Sequence, residues 1–265
     1  MQKKKIVIGF FGITRSLKWT ASSIKKNIIT VLQSLGDVKI YGHFYELKFI
    51  KNERTGENQT IDLNDHKNLK FDKLVIEKPM HVLKNINYKK ILSYGDAWED
   101  KGRSLSNLIH QLSSLKKLAK MIKKEKPDVV VLVRPDLLYH DSFKEVVKLH
   151  LKLPSYYASI PHWQWFGGLN DRFAVLGYEA FLIFANRLDS IHDYLKKTKK
   201  PLHSETFLWD VLTQNKIIIL PMNIKAHRVR ANGTMAQEGF EELFLRRKIR
   251  YQLMNLKNKL KRFIT

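Results

Sequence analysis

One stretch limits the folds open to this chain more than any other: Asp128 to Val133, an unbroken Val-Val-Val-Leu-Val run closed by Arg134-Pro135-Asp136. A strand with one wet face alternates polar and apolar residues, and this run does not, so it reads as a strand buried on both sides. Pro135 ends the strand and keeps Arg134 out of the helical region. The strand therefore delivers Asp136 to its carboxyl tip, the edge at which open α/β sheets bind ligands.

The neighbouring segments supply the layers such a strand needs. Lys5 to Phe11 is apolar and β-branched, and Gly12, Thr14, Arg15 and Ser16 follow it. A helical pattern then runs through Ile24, Ile28, Val31, Leu32 and Leu35 to Gly36, and Val38 to Phe44 is a second strand. This strand–loop–helix–strand opening begins a nucleotide-binding α/β sheet. Residues 51–70 read as a polar loop and Leu74 to Ile76 as a short strand. From Ser104 to Lys124, Leu105, Leu108, Ile109, Leu112, Leu115, Leu118 and Ile122 share one helical stripe, which Pro127 stops. Tyr156 to Ile160 and Ile217 to Leu220 read as strands, Asp171 to Leu188 and His203 to Gln214 as helices. The expected class is α/β, a mixed central sheet flanked by helices over residues 1–240.

Residues 241–265 form a separate unit, a basic amphipathic helix. Ile249, Leu253, Leu256, Leu260 and Phe263 repeat at 4-3-4-3 spacing among Arg246, Arg247, Lys248, Arg250, Lys257, Lys259, Lys261 and Arg262. Such a helix lies on an anionic membrane surface or binds a partner; docking on its own domain is the alternative.

Composition narrows the classes further. With 265 residues, 44% of them hydrophobic, the chain can bury a substantial core. The absence of cysteine excludes disulfides and thiolate metal sites. No run reaches the roughly 18 apolar residues that span a bilayer, and Met1 to Phe11 reads as a first strand, not a signal peptide. A balance of 48 Lys+Arg against 25 Asp+Glu gives +23, which suits nucleic acid, an anionic membrane or phosphate-rich substrates.

Three segments occur in an informative order: Arg134-Pro-Asp136-Leu, then Gly167-Gly168-Leu-Asn170-Asp171-Arg172-Phe173, then Leu202-His203-Ser204-Glu205. In these the chain resembles the bacterial and viral surface-polysaccharide glycosyltransferases related to the WavE lipopolysaccharide-synthesis family. The likeness covers most of residues 5–232 and little of 50–100, and the middle segment is its most specific part. It implies a GT-A-type fold in which a nucleotide-sugar diphosphate sits on a divalent metal, Mn or Mg, held by an acidic motif. It also implies transfer to a glycan or lipid-linked glycan acceptor, in lipopolysaccharide or capsule synthesis; with the basic tail and the +23 charge, the expected location is cytoplasmic, peripheral at the inner face of the cell membrane.

The usual motif of that fold has two aspartates separated by one residue. Arg134 stands at the first position here, leaving Asp136 alone and metal dependence in question. Arg134 can offset diphosphate charge directly; a metal would draw on Asp136, water and His227. The resemblance places the nucleotide beside the first strand, on Gly12, Thr14 and Arg15, with Asn107 and Gln111 on the polar side of the long helix. Gly9-x-x-Gly12 alone is not a dinucleotide fingerprint. Gly167 and Gly168 permit close backbone approach. Asn170, Asp171, Arg172 and His203 would meet sugar or acceptor, with Trp163 and Trp165 as flat apolar faces, while Asn170 or Asp171 caps a following helix.

Deprotonation of an acceptor hydroxyl falls to Glu205, Asp171 or His203, with Glu205 preferred; its other role is with the helix dipole. Arg228 and Arg230, in the loop from His227, would close over the departing diphosphate. Two other readings stand beside this one. The charge and aromatics suit a nucleic-acid-binding protein, although no recognised module is present. The missing aspartate suits a non-catalytic carbohydrate-binding protein on a degenerate transferase fold.

Overall fold

The computed structural model describes residues 3–52, 56–241 and 245–263, the last segment without the side chains of residues 245–247 and 263. The side chains of Arg246, Arg247 and Phe263, and all of Thr265, therefore lie outside the described residues. Strand β1 (Lys5–Gly12) leads into α1 (Leu17–Ile24), which continues through a π-helical stretch at Lys25–Ile29 into α2 (Thr30–Gln33). Then come β2 (Asp37–Tyr45), β3 (Phe49–Asn52), β4 (Glu57–Thr60), β5 (Lys73–Glu77), α3 (Val82–Asn85), α4 (Tyr88–Leu92) and the long α5 (Arg103–Ile122). The second half carries β6 (Val129–Val133), β7 (Leu137–Tyr139), α6 (Lys144–His150), β8 (Tyr157–Pro161), β9 (Ala174–Gly177), α7 (Tyr178–Ala185), α8 (Ile191–Thr198) and α9 (Ser204–Gln214). β10 (Ile218–Met222), β11 (Ala226–Arg228) and α10 (Leu245–Phe263) complete it.

Seven strands form one mixed sheet in the order β10-β8-β9-β6-β1-β2-β5, in which β9 alone runs antiparallel to its neighbours. The expectation of an α/β fold with a mixed central sheet flanked by helices holds. Alternate residues of β1 and β6 feed two cores. Ile6, Ile8, Phe10, Val129, Val131 and Val133 pack under α1 and α6, while Val7, Phe11, Val130 and Leu132 pack under α5 and α7. Burial on both faces is why these strands carry no polar alternation. Gly9 lets α5 come close, because a Cβ there would stand 2.9 Å from a methyl of Leu118.

Two segments depart from expectation. Asp171 to Leu188 is not one helix: Ala174 to Gly177 forms β9, wedged between β6 and β8, Tyr178 to Ala185 is α-helical, and a 3-10 turn follows from Arg187. An apolar run of four residues has no readable period, and the open slot beside β6 decides it. Residues 51–70 are not wholly loop, since β3 and β4 pair as a hairpin and Asp65–Asn68 forms a 3-10 turn. Asp65 serves α1 from there, accepting from the N–H groups of Leu17 and Lys18 at 2.8 and 3.0 Å.

α10 closes the β10 edge. The Ile219 N–H donates to Asn255 Oδ1 at 2.9 Å and Asn255 Nδ2 donates to the Ile219 carbonyl at 2.6 Å, so one side chain replaces a missing strand partner. Asn258 donates to the Ile217 carbonyl and Arg262 to that of Lys216, while Met254 enters the core. Ile249, Leu253, Leu256 and Leu260 face outward, each exposed. No helix among the described residues is long and apolar enough to cross a membrane.

Candidate active site

Parallel β1, β2 and β6 end on the same edge of the sheet. Antiparallel β9 begins there, so Asp171 and Arg172 just before it are brought to the same edge. A cleft of about 510 Å³ opens at that edge, within the usual range for small-molecule sites. Its lining unites Gly12, Arg15, Asn107, Gln111, Arg134 and Asp136 with Asp171, Arg172, Glu205, Arg228 and Arg230. Segments far apart in sequence thus converge where the strand pattern placed the ligand edge.

Asp136 is the centre of this wall. Arg134 grips it with both arms of a fork, Nε to Oδ1 at 2.9 Å and Nη2 to Oδ2 at 2.7 Å, and Arg15 Nη2 donates to Oδ2 at 2.8 Å. Burial alone would raise the Asp136 pKa, but Arg134 and Arg15 hold the carboxyl well below the usual carboxylate range. From Arg134 a chain of contacts crosses the cleft. Arg134 Nη1 donates to Gln111 Oε1 at 3.2 Å, Gln111 Nε2 to Asp171 Oδ2 at 3.4 Å, and Ser204 Oγ to the same Asp171 oxygen. Arg187, fully buried, lies 3.7 Å from that carboxylate and donates to the Phe184 carbonyl.

Glu205 faces this chain from the first turn of α9. Burial and the neighbouring Asp171 charge push its carboxyl up to about 8. His203 lies beside it, Nδ1 at 3.2 Å from Glu205 Oε2, and stacks on Trp98 with ring centroids 5.5 Å apart. Trp98 itself lines the cleft, presented by a loop whose Asp96 carboxylate accepts from the N–H groups of Trp98, Asp100 and Gly102.

Other residues singled out from the sequence are placed elsewhere. Trp163 and Trp165 are buried, their indole N–H groups donating to the carbonyls of Ile224 and Pro161, so neither offers a face to the cleft. Asn170 is also buried, donating to the Trp163 carbonyl and accepting from the Arg172 N–H. Neither it nor Asp171 starts a helix, because β9 follows. Gly167 turns the chain at a φ of +86°. Gly168 presses on the backbone of α9, where an added Cβ would lie 1.9 Å from the Glu205 carbonyl oxygen. Together they seat Glu205: the Leu169 N–H donates to that same carbonyl at 2.9 Å. Thr14 is half-buried and does not line the cleft.

His227 pairs with His140 at 2.6 Å, packs on Phe240, and lies outside the cleft lining that holds Arg228. A divalent metal finds a poor donor set here. Both oxygens of Asp136 carry guanidinium N–H groups, and among the described residues no three His, Asp or Glu are grouped to hold an ion.

Glu57 and Glu238 were not legible as site residues, yet both are anchors. Glu57 is buried 3.4 Å from Arg15 and from Arg230; Glu238 accepts from Arg172 at 2.9 Å and lies 3.9 Å from Arg228.

No known family profile and no curated protein matches the sequence. Among solved structures the fold is similar to apo mouse xyloside xylosyltransferase 1, at 10% identity over 83% of this chain and 85% of that one, TM-score 0.42. It is also similar to the galactosyltransferase LgtC in complex with donor and acceptor sugar analogs, at 11% identity over 78% and 69%, TM-score 0.43.

Proposed function

We propose that the protein is a glycosyltransferase that moves a sugar from a nucleotide-diphosphate donor to a hydroxyl of a cell-surface glycan. One observation carries the reading: a single cleft at the carboxyl ends of β1, β2 and β6 holds an arginine cluster together with a carboxyl, Glu205, whose proton affinity is raised to about 8. Arginines at a strand edge suit a diphosphate, and a carboxyl of that affinity suits a general base near neutral pH.

In this mechanism the acceptor hydroxyl gives its proton to Glu205 as its oxygen attacks the anomeric carbon. The bond from that carbon to the diphosphate oxygen breaks, and its electron pair leaves with the diphosphate. Arg134, Arg228 and Arg230 stabilise the charge that develops there. Direct displacement of this kind inverts the anomeric centre. Trp98, stacked on His203, supplies a flat apolar face for a sugar or base ring.

The acceptor is membrane-borne in this reading. α10 presents Ile249, Leu253, Leu256 and Leu260 outward beside Arg250, Lys257 and Lys259, a composition suited to the anionic inner leaflet. A ligand-observed NMR screen of nucleotide sugars tests the reading: at least one binds the wild-type protein and loses its signal in Arg228→Gln. Binding by none of them contradicts it.

A further inference from the structure

Five arginines at the cleft, Arg15, Arg134, Arg172, Arg228 and Arg230, share three buried carboxylates, Asp136, Glu57 and Glu238. The sharing is uneven. Asp136 accepts from two guanidinium groups at 2.7–2.9 Å, whereas Arg228 makes only a long ion pair, 3.9 Å to Glu238, and has a buried Nε without a hydrogen-bond partner among the described residues. Taken alone, these five arginines and three carboxylates carry a net charge of +2, which favours an anionic ligand beside them. Burial and the neighbouring Arg134 and Arg172 lower the Arg228 pKa to about 10, as expected of a cation awaiting a counter-charge. A metal ion approaching Asp136 would meet Arg15 and Arg134 first. A guanidinium fork, in contrast, matches phosphate oxygens.

We propose that the cleft holds the diphosphate of its donor on this arginine cluster in place of a divalent metal, with Asp136 as the positioning residue that fixes Arg134 and Arg15. The proposal rests on the nucleotide-sugar reading above. Asp136 spends its charge within the protein, and the outer guanidinium groups spend theirs on the ligand.

The test is calorimetric titration of the full chain with inorganic pyrophosphate and with a panel of nucleotide sugars, in EDTA and again in manganese chloride. Pyrophosphate and one nucleotide sugar bind in EDTA, and manganese changes each affinity by less than about tenfold. Arg228→Gln, which breaks no close ion pair, weakens both by about ten- to a hundredfold. Asp136→Asn weakens pyrophosphate equally in EDTA and in manganese; loss confined to manganese would make Asp136 a metal ligand and overturn the proposal. Binding of nucleotide sugars only with manganese overturns it too, while leaving the transferase reading intact. Pyrophosphate binding in EDTA with no nucleotide sugar bound keeps the arginine site and removes the sugar reading. Failure of pyrophosphate to bind under either condition overturns the proposal.

Discussion

Glu205 stands in the first turn of α9, and both burial and the Asp171 charge favour its protonated form, setting its pKa at about 8. A base must be deprotonated to accept the acceptor's proton, so the sign is fixed. kcat/KM rises with pH through about 8 and flattens above it. Glu205→Gln removes that rise and lowers kcat by about a hundredfold or more, with the far-ultraviolet circular dichroism unchanged. Gly168→Ala forces a Cβ against the Glu205 carbonyl, and thermal denaturation should show a loss of about 3 kcal/mol or more.

Residues whose position is set locally were legible in the sequence as cleft residues. Arg134 and Asp136 follow a strand whose burial the apolar run announces, and Glu205 opens a helix. Glu57, Glu238 and Trp98 were not, because their roles arise only when distant loops meet. Trp163 and Trp165 look like ligand faces beside two glycines, but their indole N–H groups find carbonyls inside the core.

At the scale of elements, α10 shows how a pattern can be read correctly and its docking face missed. The leucine spacing announces an amphipathic helix, yet the contact with β10 runs through Asn255, Asn258 and Met254. An edge strand's unpaired backbone groups call for amides, a demand invisible along the helix itself. Asn255→Ala therefore costs about 1–3 kcal/mol, measurable by denaturant unfolding. Leu253→Asp with Leu256→Asp leaves stability unchanged and abolishes co-sedimentation with vesicles containing phosphatidylglycerol; retained co-sedimentation would refute membrane docking by this face. β9 does not read as a strand in the sequence because four apolar residues carry no period, and its slot in the sheet is a long-range property.

For the whole molecule, the alternation of apolar runs was enough to find an α/β sheet and the edge at which its cleft opens. The cleft and α10 each carry part of the +23 charge, and exposed lysines such as Lys84, Lys89, Lys90, Lys120, Lys123 and Lys124 carry more of it on other faces. The antiparallel entry of β9 brings Asp171 and Arg172 to the edge where β6 places Asp136. Sugar transfer is most directly tested by chromatographic detection of nucleoside diphosphate released from a nucleotide-sugar panel with glycan acceptors, comparing wild type with Glu205→Gln. The account predicts release from at least one donor by the wild type and its loss in the variant. Equal release by both proteins, or none from any donor, would contradict it.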